Sequence, residues 1–302
     1  QMKKLLMTLV LLPLMVLSAE VLTVGNESFS SSEKSKQFQL CNAYATYNES
    51  TGFTLTFSGS SVVQGGISAQ DSLKICLDKG VVLDFVKDEY GRNCGIFSWR
   101  DLAITGMGTV NIVSGRIYGN DSVKIIGTSV NISQGKGENA SIGTEMSGPV
   151  SIEAAFVTVV GYGTLISGGS ITMTGSMVNL VQGSSDKDSS ATVVDAWYGK
   201  PKISIVGCVV AMIASDEDSM GFESCGEILV GDSCVVAVAK RQCFYSWYKV
   251  AFQNSRVLAI SENWDAVSTY ARIHRFFIKN PPCSAYEQGE SHIHSSGSSF
   301  QT

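Results

Sequence analysis

The residues best able to do chemistry are two Asp-x-Asp pairs, Asp186-Lys-Asp188 and Asp216-Glu-Asp218. Their carboxylates stand close enough along the chain to meet a hard cation. Both pairs sit among Ser and other small polar residues, which reads as solvated turns. Asp84, Asp88 and Glu89 with Arg92 form another charged stretch. Acid–base work on a polysaccharide needs two carboxylates, or a carboxylate and a basic group, at one place on a surface. No convincing pair recurs at one offset in successive repeats, so no catalytic residue is assigned and the expectation is a protein that is not an enzyme. A Ser-His-Asp arrangement has no G-x-S-x-G elbow to support it. His292 and His294 lie in a tail beyond Pro281-Pro282.

Aromatic side chains carry more information. Phe97, Tyr118, Tyr198 and Tyr245 recur at one position of a repeat, interrupted by Ile166 and Glu223, and Trp99 and Trp247 recur two residues later. Rings facing outward from a flat sheet make a platform on which sugar rings can lie, with the phenol or indole edge left polar. The alternative is that the rings stack on one another, or lie beneath loops, and only stabilise the fold. Lys240, Arg241 and Lys249 flank the second aromatic group. The candidate ligand-binding residues are Phe97, Trp99, Tyr118, Tyr198, Tyr245, Trp247 and Lys249.

What must position these residues is a repeat, best seen from Ile171 to Leu180. Two short alternating runs, Ile171-x-Met173 and Val178-x-Leu180, flank a corner at Gly175. A period of two marks half-buried strands, and the corner is too short for a helix. Copies begin at Leu102, Val123, Val150, Ile171, Ile203, Ile228 and Val250. Their second strands carry Val110/Ile112, Val130/Ile132, Val157/Val159, Val178/Leu180, Val210/Met212, Val236/Val238 and Val257/Ala259. A third strand is expected six residues upstream of each anchor, at Ile96, Ile117, Leu165, Trp197, Phe222 and Phe244, with a two-residue shift to reach Ile142. A unit this small cannot bury its apolar face alone and must stack on its neighbours. The expectation is an all-β, right-handed parallel β-helix of about eight to ten three-strand rungs, the hand following from the general preference of parallel connections.

Around this body, Met2-Lys3-Lys4, the apolar run Leu5–Leu17 and Ser18-Ala19 have the three regions of a secretory signal peptide, assigned to residues 1–19. Residues 20–52 read as an N-terminal cap, 53–262 as the β-helix and 263–302 as a closing strand with a Ser/Gly tail. Loss of Lys3 and Lys4 with the leader takes the formal charge of −5 to −7. An acidic chain without a basic stripe argues against nucleic acid, and no later stretch is apolar enough to span a membrane. Eight cysteines fit an oxidising compartment. Cys208 and Cys234, at the same corner of successive rungs, are the first pair expected to bond. Zinc is a poor reading without a C-x-x-C pair.

Cys94-Gly-Ile-Phe-Ser-Trp-Arg-Asp-Leu-Ala-Ile-Thr-Gly-Met-Gly-Thr-Val-Asn-Ile and the rung from Leu165 to Leu180 resemble the repeats of bacterial secreted carbohydrate-binding β-helix proteins, a family that includes a clostridial polygalacturonate-binding protein. The resemblance spans roughly residues 80–260. It implies a β-helix, a polysaccharide ligand and calcium held by the Asp of an Asp-Gly-Ile element. Eight residues before each anchor, where that Asp would fall, stand Cys94, Gly115, Gly163, Asp195, Met220 and Gln242. Asp195 is therefore the one metal candidate. The expected function is a secreted, non-catalytic carbohydrate-binding protein at a bacterial cell surface, with a structural surface protein or adhesin that binds a protein partner as the alternative, and a polysaccharide lyase or hydrolase behind both. Five Asn-x-Ser sequons, at Asn26, Asn48, Asn120, Asn131 and Asn139, are taken as incidental in a bacterial chain.

Overall fold

The computed structural model describes residues 19–87, 94–133, 141–144, 148–183, 192–197, 201–216 and 218–270. Every regular element among them is a strand. The strands form three sheets, two of eleven strands and one of nine, and from Gly52–Phe57 onward each successive strand enters the next sheet. Ser170–Thr174 belongs to the second sheet, Met177–Gln182 to the third and Thr192–Ala196 to the first. Between Cys94 and Ser261 this order repeats through seven regular turns of a parallel β-solenoid.

Register follows the apolar pattern because the side-chain period is two and a slip of one would turn the whole apolar set to water. In the second sheet Leu102, Val123, Val150, Ile171, Ile203, Ile228 and Val250 stand in one column. In the third, Val110, Val130, Val157, Val178, Val210, Val235 and Val257 do the same. Nearly all of these side chains are fully buried, and they merge into one core that runs the length of the stack. Between the two sheets the chain turns sharply. Gly175 has φ +56°, and Gly127 and Gly207 take the same conformation at the equivalent corner, where a Cβ would be strained. The next residue points inward, and Ser176 and Ser233 there accept the backbone N–H of Ala155 and Cys208, each at 3.1 Å.

That corner corrects the expected disulfide. Cys208 is buried opposite Ser233, whereas Cys234 pairs with Val209 and points to solvent. The two thiols thus lie on opposite faces, and none of the six cysteines whose side chains are described is bonded to another. Three phase assignments also shift. In the strand Cys234–Ala239 the inward residues are Val235 and Ala237, not Val236 and Val238; that strand is apolar at nearly every position, so alternation cannot choose its phase. In the first sheet the column holds Ile166 in place of Leu165 and Val194 in place of Trp197. Ile96 precedes Leu102 by six residues, but Val194 precedes Ile203 by nine, so a constant count fails at that loop.

The beginning of the stack is covered by antiparallel strands. Val21–Val24 and Glu27–Ser30 form a hairpin that joins Ile67–Ala69, while Ser35–Gln37 and Ala43–Asn48 continue the second sheet beyond Gly52–Phe57. Phe29 plugs the end of the core, edge-on to Phe53 at 5.7 Å. The third sheet keeps its outer face bare. Phe156, Met177 and Val209 form one exposed column, Val160, Val181, Ile213 and Ile260 fall along another, and Val236 and Leu258 lie between them. Towards the first turns polar residues enter its middle column, beside exposed Val62, Val86 and Val113: Asn131 Nδ2 donates to Asn111 Oδ1 at 2.9 Å, and Asn111 Nδ2 donates to Asp84 Oδ1 at 2.8 Å.

Candidate functional site

Strand pairing sets the outward row of the first sheet. It runs Phe97, Tyr118, Gly143, Ser167, Asp195, Glu223, Tyr245 and Ser268. Two expected members change. Ile166 is fully buried and leaves the row to Ser167. Tyr198 lies outside the described residues, and the place assigned to it belongs to Asp195. The row therefore contains what the sequence reading did not find, two carboxylates in register on adjacent strands.

Aromatic residues gather in two groups. Phe97 and Tyr118 are parallel at 5.8 Å and Trp99 meets Phe97 edge-on at 5.9 Å. Phe97 and Tyr118 are half-buried, so these two rings largely support each other, while Trp99 is 56% exposed. The second group is richer. Trp197 meets Trp247 edge-on at 6.0 Å, and Tyr270 lies against Trp247 at 5.5 Å. Beside them a cleft of about 390 Å³ is lined by Glu223, Arg241, Gln242, Tyr245, Trp247 and Trp264, with Met220 at its side. It is a half-open groove rather than an enclosed cavity. The Arg241 guanidinium lies over the Trp264 ring at 4.7 Å, and that ring is 58% exposed.

Charges in the cleft are placed by the fold. Glu223 is 5% exposed and its Oε2 accepts the Thr192 hydroxyl at 2.6 Å. Burial raises its pKa, while Thr192 and the Arg241 charge pull it back. Asp195 has no such help: burial, then the charge of Glu223, push its carboxyl up to about 7, and its buried Oδ1 has no hydrogen-bond partner. Burial and the same Glu223 charge raise the Tyr245 phenol. Lys249 is half-buried, on the strand beside Glu227. Lys240 is paired with Glu262.

The residues do not fit calcium. Asp195 falls three residues beyond the strand position that Cys94 and Gly115 share, since Thr192 pairs with Met220 there. Its carboxylate neighbour Glu223 is already held by Thr192 and sits beside a guanidinium, far from a cage of six to eight oxygens. Among the described residues no group of three or more His, Cys, Asp or Glu stands together as metal ligands would. Asp216 is buried rather than solvated, and Asp186, Asp188, His292 and His294 lie outside the described residues.

Sequence reasoning placed Arg241 beside the second aromatic group but missed Thr192, Gln242, Trp197, Trp264 and Tyr270 as partners of the site. Trp197 and Trp264 were visible as tryptophans, but only the pairing of Val194 with Ile166 and Phe222 brings Asp195 beside Glu223. Compared with protein-family models, curated proteins and solved structures, the chain gave no match.

Proposed function

We propose that this chain is a carbohydrate-binding protein, exported to a bacterial cell surface or the extracellular space, with its sugar site in the Glu223–Trp247 cleft. The observation that carries this reading is the meeting of exposed tryptophans with fixed hydrogen-bonding groups in one cleft. Indole faces of Trp247 and Trp264 offer apolar area to the C–H face of a pyranose. Glu223, Gln242 and Arg241 offer acceptors and donors to its hydroxyls. We take the coil as right-handed, and its two less regular first turns as bringing the count to the eight to ten rungs expected.

An uncharged glycan suits the cleft better than an acidic one. Glu223 lines it with Asp195 in register on the adjacent strand, while Arg241 is engaged with Trp264 and Lys240 with Glu262. Titration with neutral and acidic oligosaccharides, followed by tryptophan fluorescence, tests this. Trp247→Ala and Tyr245→Ala should each weaken binding about fivefold, the equivalent of ~1 kcal/mol per ring, while Phe97→Ala leaves it unchanged. Equal affinity in wild type and both cleft variants refutes the assignment.

A second reading, a surface protein that binds a protein partner, draws on one different observation, the bare apolar face of the third sheet around Val181 and Ile213. Charged substitutions there, such as Ile213→Glu, would abolish capture of that partner and leave sugar binding intact.

A further inference from the structure

The outward row of the first sheet sets two acids side by side in unlike surroundings. Glu223 lines the cleft, is almost fully buried, accepts the Thr192 hydroxyl at 2.6 Å and feels the charge of Arg241. Asp195, in register on the adjacent strand, is partly exposed, and its Oδ1 has no partner. We propose that this pair does chemistry on the bound glycan, with Glu223 as nucleophile and Asp195 as proton donor in the hydrolysis of a glycosidic bond with retained anomeric configuration. The inference rests on the carbohydrate reading of the cleft and replaces the expectation of a protein that only binds.

The roles follow from surroundings. Two carboxyl groups whose environments differ divide into a proton donor and an ionised partner. Burial raises the Glu223 carboxyl, but Thr192 and Arg241 beside it favour its charge, support that Asp195 lacks; Tyr245 stands next to Glu223, and the Cys225 thiol nearby is raised by burial and by both acids. Asp195, pushed up to about 7, holds its proton through the mildly acidic range and in about half of the molecules at pH 7. Adjacent strands are ~4.8 Å apart, which suits the ~5–5.5 Å carboxyl separation of double displacement better than the ~6.5–9.5 Å that makes room for a directly attacking water.

In the first step an oxygen of Glu223 bonds to the anomeric carbon as the bond from that carbon to the leaving sugar's oxygen breaks. The Asp195 proton goes to that oxygen. In the second, ionised Asp195 takes a proton from water, whose oxygen bonds to the anomeric carbon while the ester bond to Glu223 breaks. Glu223 is again a carboxylate and Asp195 again protonated. One glycosidic bond and one water become a hemiacetal and an alcohol. Tyr245, Trp247 and Trp264 hold the sugars on either side of the broken bond.

The full chain is incubated with a panel of uncharged polysaccharides, glucans, xylans and mannans, with new reducing ends and binding both measured. Release of reducing ends by wild type from a polysaccharide that it binds, falling at least ~10²-fold in Glu223→Gln while binding, to which the amide still offers an acceptor, weakens far less, is the expected result. Asp195→Asn should lose the alkaline limb of the pH profile near 7 and still cleave aryl glycosides whose leaving group needs no proton. A 2-deoxy-2-fluoro aryl glycoside of the matching sugar should add one sugar mass to the Glu223 peptide. Binding without cleavage, or cleavage undiminished in Glu223→Gln, overturns the catalytic proposal and leaves the sugar site standing. Binding to none of the panel overturns both.

Discussion

Asp195 keeps a proton that an unfolded chain would give up. Its carboxyl is pushed up to about 7 by burial and by Glu223, against about 3.9 in an unfolded chain. Between those values the folded state binds one more proton than the unfolded state, so stability must fall as pH rises through the window, and the whole cost is present above it. In urea titrations the wild type should lose on the order of 2 kcal/mol relative to Asp195→Asn between about pH 4.5 and 8. Parallel pH curves for the two proteins would show that Asp195 does not sit where the first sheet puts it. Thiols offer a second check. Alkylation of the native protein should reach exposed Cys234 first, while Cys208 and Cys243 react only on unfolding; burial lifts the Cys243 thiol to about 11. A peptide map with Cys208 bonded to Cys234 would contradict the corner register. At this scale the sequence was a poor guide to the acids, because the carboxylate pair is created by strand pairing across a loop of unusual length and by nothing local.

Strands were far more legible. Leu102 and its six counterparts in the second sheet sit where alternation placed them, since a sheet with one wet face rewards only one phase. Errors arose where that contrast vanishes, at the apolar run Val235–Ala239 and at the neighbouring pair Leu165 and Ile166, both fully buried. Ile171→Asp or Val178→Asp would place an unpaired charge among fully buried neighbours, which costs several kcal/mol. Expression of either variant should give aggregated or protease-sensitive protein. Asn179→Ala, on the outward face of the same strand as Val178, should change the urea midpoint little. Equal behaviour of the three variants would mean that the two faces had been interchanged.

As a whole the molecule is a line of turns, each resting on the one before and the one after. Far-ultraviolet circular dichroism should show strand and no appreciable helix, and EDTA should leave the melting temperature unchanged, because the acids of the first sheet do not form an oxygen cage. A fall of many degrees in EDTA would require a cation held elsewhere in the chain. The parallel solenoid was readable from spacing, since a three-strand unit that cannot bury itself must stack on its neighbours. The sugar cleft was readable only as a hint in the recurrence of Tyr245 and Trp247; its depth comes from Trp264 and Arg241, which the repeat does not predict.

The antiparallel strands at the start of the stack carry a consequence for assembly. A column of strands at a ~4.8 Å repeat is geometrically the template on which fibrils grow, because a bare terminal turn offers a full set of backbone donors and acceptors to the next chain. Here Val21–Val24 and Ala43–Asn48 occupy that end with the chain direction reversed, and Phe29 seals the core beneath them. In those two sheets a parallel strand from another molecule finds its place taken, while Ser61–Gln64 is the edge of the third. A chain that begins at Gly52 should therefore polymerise, with thioflavin fluorescence rising over hours at concentrations where the covered protein stays clear.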